Sequence, residues 1–182
     1  NSVGFSFIRI SAGFLLALAA GSALAAVAGK FSIAENMVWP FIIAIKSVPV
    51  ASFIILCLIW LSSDKLSIFI SFLMVVPIVF TNMLQGIKST DGKLLEMARV
   101  FRISWFKKLK YIYLPQLKPY IISACSVSIG LSWKAGTAAE VIGIPDGSIG
   151  EKLYEAKVYL SSGDLFAWTV VIVAASIAFE KF

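Results

Sequence analysis

The sequence predicts an all-α, polytopic membrane helix bundle of about five transmembrane helices, with a short amphipathic helix between the third and fourth. Three observations predict it. The 182 residues are 59% hydrophobic and 14% charged, with no His, and the mean hydropathy is +0.92; one small globule could not hide that much apolar surface from water. Charge-free runs at residues 10–29 and 66–87 reach the roughly 20 residues that a helix needs to cross the hydrocarbon core. The charges gather in two connections of opposite sign.

The first span, residues 10–29, places Ala17, Gly21, Ala25 and Gly29 four apart. Such a small-residue stripe lets a second helix approach closely where lipid offers no hydrophobic driving force, so its expected role is packing. Residues 38–61 read as one span in which Lys46 is the sole charge. The third span is 66–87, the fourth 111–133 with Lys118 near one end, and the fifth 165–179. Short polar connections at 30–36 and 62–65 predict antiparallel neighbours, while the connections at 88–110 and 135–164 are long. Pro40, Pro49, Pro77, Pro115 and Pro119 each remove a backbone donor, and so kink or start a helix. Residues 1–182 read as one transmembrane domain. The chain starts with Asn1 rather than Met, and a preceding segment is expected to be missing.

Orientation follows from the charges. Between residues 88 and 118 stand Lys88, Lys93, Arg99, Arg102, Lys107, Lys108, Lys110 and Lys118 against Asp91 and Glu96. Between 135 and 164 stand Glu140, Asp146, Glu151, Glu155 and Asp164 against Lys152 and Lys157. Basic loops stay in the cytoplasm, so the first connection is expected inside and the second outside, with the chain starting outside and ending inside. A nucleic-acid partner is not expected, because the basic residues abut two apolar spans and anionic lipid accounts for them. Cys57 and Cys125 lie in apolar stretches and support neither a disulfide scaffold nor a metal cluster. The lack of His removes the usual triads and His-containing metal sites.

Within the basic connection, Leu94, Leu95, Met97, Ala98 and Phe101 recur at helical spacing, with Lys93, Glu96 and Arg99 between them. Thr90 or Asp91 is the expected N-cap. A second helix is expected to start after Ser104, run through Trp105 to Tyr113, and enter the membrane at Leu114 and Pro115. Residue chemistry alone leaves two roles open for this hairpin: an interfacial anchor using Trp105, Phe106, Tyr111 and Tyr113, or a docking surface for another protein.

The spacing Glu96, Met97, Ala98, then Arg102, Ile112, Leu114 and Pro115 resembles the EAA loop of ATP-binding-cassette (ABC) importer permeases, E-A-A-x3-G-x9-I-x-L-P. Five of the seven fixed positions agree; Met97 replaces an alanine and Arg102 the glycine. Glycine there would allow a left-handed turn, which costs Arg about 1 kcal/mol. Residues 6–16 (SFIRISAGFLL), 45–50 (IKSVPV), and 132–143 (SWKAGTAAEVIG) with the glycine-rich 144–150 resemble the branch that includes nitrate, sulfonate, taurine and bicarbonate permeases. The resemblance implies a six-helix core whose first helix is absent here, and a multi-pass inner-membrane location with the loop at 88–115 cytoplasmic and that at 135–164 external. It implies a path formed by two permease copies, cytoplasmic ABC ATPase subunits docked on the loops, and an external solute-binding protein. Glu96, Met97, Ala98, Arg99, Phe101, Arg102, Ile112, Leu114 and Pro115 would then make up the coupling element, with Ala98 seated in a groove of the ATPase. ATP would be bound by the partner, and this chain would hold no cofactor. The absence of a G-x4-G-K-[ST] phosphate loop agrees.

The solute path is expected to involve Lys46 and Lys134, ionisable groups at or near membrane depth, where such groups usually face a cavity or partner. Either could attract an anion. A snorkelling Lys46 is the alternative, as is a buried pairing of Lys134 with Glu140. Six residues turn a helix by roughly 240°, so that pair needs an unwound backbone or another helix. Ser132, Trp133 and Thr137 are further lining candidates. A secondary transporter would need intramembrane carboxylates, which are nearly absent, and a non-transporting scaffold would need only the packing. An intramembrane enzyme has the least support.

Overall fold

The computed structural model describes residues 2–181, with side chains through Phe179. Helices make up nearly all of it: α1 (Ser2–Lys30), α2 (Ser32–Ser47), α3 (Val50–Leu58), α4 (Ser63–Lys88), α5 (Gly92–Val100), α6 (Trp105–Lys108), a π-helical turn (Leu109–Tyr113), α7 (Leu114–Gly143), α8 (Ile149–Val158) and α9 (Ser162–Lys181).

The centre is a three-helix core of α1, α4 and α7. The small-residue stripe of α1 faces α4, as its spacing predicts. Ala17 and Ala25 are fully buried, and a Cβ on Gly21 or Gly29 would stand 2.9 Å from Val79 or 2.7 Å from Ile87. Phe14, Ala17 and Ala25 join Val75, Val79, Phe80 and Met83 of α4 and Leu117 of α7 in the largest buried cluster.

Three described helices, α1, α4 and α9, are long and apolar enough to cross a membrane, and α2 with α3 adds a fourth span if the bent pair is counted as one. Residues 38–61 are therefore not a continuous helix: α2 and α3 meet at 101°. Pro49 lacks a donor and biases the residue before it away from helix; Val48 is extended accordingly, at φ −85° and ψ 133°. The polar connection expected at 30–36 shrinks to Phe31, because α2 begins at Ser32. α7 occupies the place of the fourth span. At 30 residues it is about 45 Å long, long enough for a crossing although it is not among the described helices that are also apolar enough by composition; inside the protein its Ser132 carbonyl accepts from the Ser71 hydroxyl of α4.

α7 also continues ten residues past the end expected at Trp133, and α8 fills much of what was expected to be a loop at 135–164. A polar node makes this possible. The Ser6 hydroxyl donates to Glu140 Oε2 and accepts the Ile149 N–H at 3.1 Å, tying α1, α7 and the first turn of α8 together. Gly150 lets α8 lie against the α7 backbone, since a Cβ there would be 2.5 Å from Glu140 O. At this same end, Arg9 pairs with Asp64 at 3.0 Å.

Candidate functional site

At the opposite end of the core, the basic connection folds into the helical hairpin that the sequence predicts. Asp91 is the N-cap of α5, its carboxylate accepting from the Lys93 N–H at 2.8 Å. α6 starts at Trp105 and passes through the π-helical turn into α7 without a break, so Pro115 lies inside continuous helical backbone, and the turn that precedes it departs from the α-helical bonding pattern where its donor is missing.

Between α5 and α6, Arg102 stands at φ +50°. The Ile103 N–H reaches Ala98 O at 2.9 Å and the Arg102 N–H reaches Arg99 O at 3.1 Å, the bond pair of a Schellman cap with Arg102 in the left-handed position. The turn that a glycine would favour is thus kept by an arginine. Arg102→Gly is expected to stabilise the protein by about 0.5–1 kcal/mol, the relief of left-handed strain less the entropy that glycine adds to the unfolded chain. An upward shift of the thermal unfolding midpoint in detergent would show it.

The hairpin is fastened to the core at its base. The Asp91 N–H donates to Gln116 Oε1 at 2.9 Å, and the Ser89 hydroxyl to Tyr120 Oη at 2.8 Å. Gly86 allows this, because a Cβ there would lie 2.8 Å from Leu117 and 2.9 Å from Tyr120. Gln116 and Tyr120 carry no motif signal, and sequence reasoning missed them. The hairpin tip is different: Val100, Phe101, Trp105 and Phe106 are 77%, 72%, 63% and 81% exposed. Glu96, Met97, Arg99 and Arg102 are exposed beside them. At the base Lys88 pairs with Glu35 at 2.6 Å; among the described residues, Lys93, Arg99, Arg102, Lys107, Lys108 and Lys110 form no salt bridge. Leu114 and Pro115 are exposed along a shallow groove with Lys118, Ile121 and Ile122.

Two of the expected coupling residues point inward. Ala98 is fully buried and Ile112 nearly so, so Ala98 cannot be the side chain seated in a partner's groove. Its small size serves the hairpin's own packing, and the exposed surface comes from its neighbours.

The residues expected along the solute path separate likewise. Trp133 is 1% exposed; its indole donates to Ile172 O at 3.2 Å and its ring packs against Phe7 and Phe179. Ser132 and Thr137 are buried and donate to carbonyls of their own helix, Ile129 and Trp133. Within the chain these three side chains are packed in the core. Glu140 is buried with Ser6 and does not pair with Lys134, consistent with their angular separation. Lys46 is exposed near the end of α2. Only Lys134 lines a polar groove, with Ser126, Gly130 and Ser176.

The stretch that carries this hairpin and the core matches a known family. The model for the binding-protein-dependent transport system inner membrane component covers residues 13–179. The chain belongs to that family. It is a multi-pass inner-membrane component, and the resemblance read from its hairpin holds at family level. It is 28% identical over 160 residues to the nitrate import permease protein NrtB of Synechococcus elongatus, covering 87% of this chain and 56% of NrtB. It is 25% identical over 178 residues to the bicarbonate transport system permease protein CmpB of the same species, covering 97% of this chain and 64% of CmpB. The chain thus spans less than two thirds of either relative. A crystal structure of an amino acid ABC transporter superposes with a TM-score of 0.69 at 16% identity, covering 99% of this chain and 86% of that one, which shows a shared fold.

Proposed function

We propose that this chain is the permease subunit of an ABC importer for a small anionic solute, and that the hairpin at 88–115 is the cytoplasmic surface gripped by a separate ATPase. Two copies would enclose the path, an external solute-binding protein would deliver the solute, and ATP would be bound and hydrolysed by the partner alone. The relatives named for nitrate and bicarbonate supply the solute class.

One observation carries the reading: the hairpin pairs an exposed apolar tip and unpaired basic groups with a rigid base. An isolated apolar tip in water is unfavourable, and a partner that covers it gains that area. Because Gln116 and Tyr120 lock the base to α7, displacement of the tip is passed to α4 and α7. A partner whose closure displaces the hairpin therefore biases the bundle between inward-open and outward-open states.

Site-directed labelling tests this. In a variant with Cys57 and Cys125 replaced by Ala, Phe101→Cys is expected to react with a membrane-impermeant maleimide in inverted vesicles and not in right-side-out ones. Added ATPase subunit is expected to protect it, and uptake by the reconstituted complex is expected to require ATP. Labelling from the outer side alone, or uptake that persists without ATP, would overturn the proposal.

A further inference from the structure

Two of the larger grooves on this protein are walled almost wholly by apolar side chains, as lipid-facing depressions should be: one by Leu16, Ala20, Ile68, Phe69 and Phe72 with Lys65 at its rim, the other by Phe53, Leu56, Trp60 and Leu73. The groove between α7 and α9 is not. It measures about 400 Å3 and is lined by Ser126, Val127, Gly130, Leu131, Lys134 and Ser176. Half of that lining is polar, and among the described residues none of it is acidic.

Its depth can be read from the packing. Ser71 meets Ser132, and Gly86 meets Leu117 and Tyr120, so α4 and α7 run antiparallel in a fixed register. The middle of the apolar stretch 66–87 then lies level with about residue 127 of α7. Ser126 sits at that level, and Lys134 about 10 Å further along. The opposite face of α7, with Ala124, Ser128, Ala135 and Ala139, is buried in the core, so the polar stripe is turned outward. Lys134 forms no salt bridge among the described residues. Glu140, the nearest carboxylate in sequence, is buried on another face with Ser6. The exposed ammonium of Lys134 and the exposed hydroxyl of Ser126, with the half-buried Ser176 beside them, do not suit lipid at membrane depth; they suit water and a solute of opposite charge.

We propose that this groove is the anion-recognising wall of the translocation path, with Lys134 supplying the positive charge and Ser126 and Ser176 the hydroxyl donors for a small oxyanion. The solute class rests on the permease reading. The water-filled, anion-selective character of the groove rests on its own geometry.

The test uses the full chain in membranes with Cys57 and Cys125 replaced by Ala. Ser126→Cys is expected to react with an anionic methanethiosulfonate (the ethylsulfonate) about tenfold faster than with a cationic one (the ethyltrimethylammonium), each rate normalised to a free thiol. Adding Lys134→Gln is expected to abolish that preference, and Lys134→Arg to preserve it. Equal or cation-favouring rates would overturn the proposal. So would no reaction at Ser126→Cys, the result expected if Lys134 merely reaches for lipid phosphates from a dry, lipid-facing groove. No ATPase is needed for this readout, so its failure is distinguishable from failure of the coupling assignment.

Discussion

Gly13→Leu is expected to prevent α1 from closing on α4 and to leave little protein that survives detergent extraction. A Cβ at position 13 would lie 2.4 Å from Ile68 O and 2.9 Å from Ser71 Cβ. The first of these neighbours is backbone inside a helix and cannot rotate away, so the helices themselves must separate. Overpacking a core by a few methylenes costs about 1–3 kcal/mol, and here the new side chain also presses on Ser71, whose hydroxyl bonds α4 to the Ser132 carbonyl of α7. The control is Gly4→Leu on the same helix, where a Cβ meets nothing within 4 Å. Thermal unfolding and extraction yield are expected to be near normal for Gly4→Leu and severely reduced for Gly13→Leu. Equal stability of the two variants would remove the argument that close backbone approach holds this core together.

That packing was legible because lipid simplifies it: without a hydrophobic drive between helices, small residues four apart have few other uses. The hairpin was legible for a different reason. Its cap and amphipathic spacing are local, and Asp91 does what its neighbours in sequence require; the left-handed turn was not legible, because Arg102 stands where the motif's glycine would have signalled it. The bend at Pro49 was signalled, but its size was not. A proline says only that the helix is interrupted, and the 101° turn depends on Ile54 being fully buried where α3 packs on α4 and α7. The extension of α7 past Trp133 was not legible at all. Lys134 and Glu140 look like a membrane exit until Ser6, 134 residues away, is seen to satisfy the carboxylate. The burial of Ser132, Trp133 and Thr137 within the chain was not legible, because α7 is covered on more than one face. No periodicity within it says which polar groups donate to their own helix and which are exposed.

Introducing acid at the hairpin tip is expected to have the second large effect. In the double variant Val100→Glu and Phe101→Glu, the fold should be undisturbed, because both side chains are mostly exposed in the chain itself, and such surface changes usually stay within about 0.5 kcal/mol. A partner that covers the tip would have to desolvate two carboxylates. If that costs even about 3 kcal/mol, affinity falls by about a hundredfold, at roughly 1.4 kcal/mol per factor of ten. Co-purification of the ATPase and ATP-dependent uptake should therefore be lost together while thermal stability is kept. Ala98→Leu should fail differently: Ala98 is fully buried, so that variant lowers stability and reaches docking only through it. The comparison also separates docking from simple anchorage on anionic lipid. A hairpin that only lies on headgroups would be loosened from the membrane by the new acids yet would leave co-purification of the ATPase unchanged, and that result would dismiss the tip as the gripped surface.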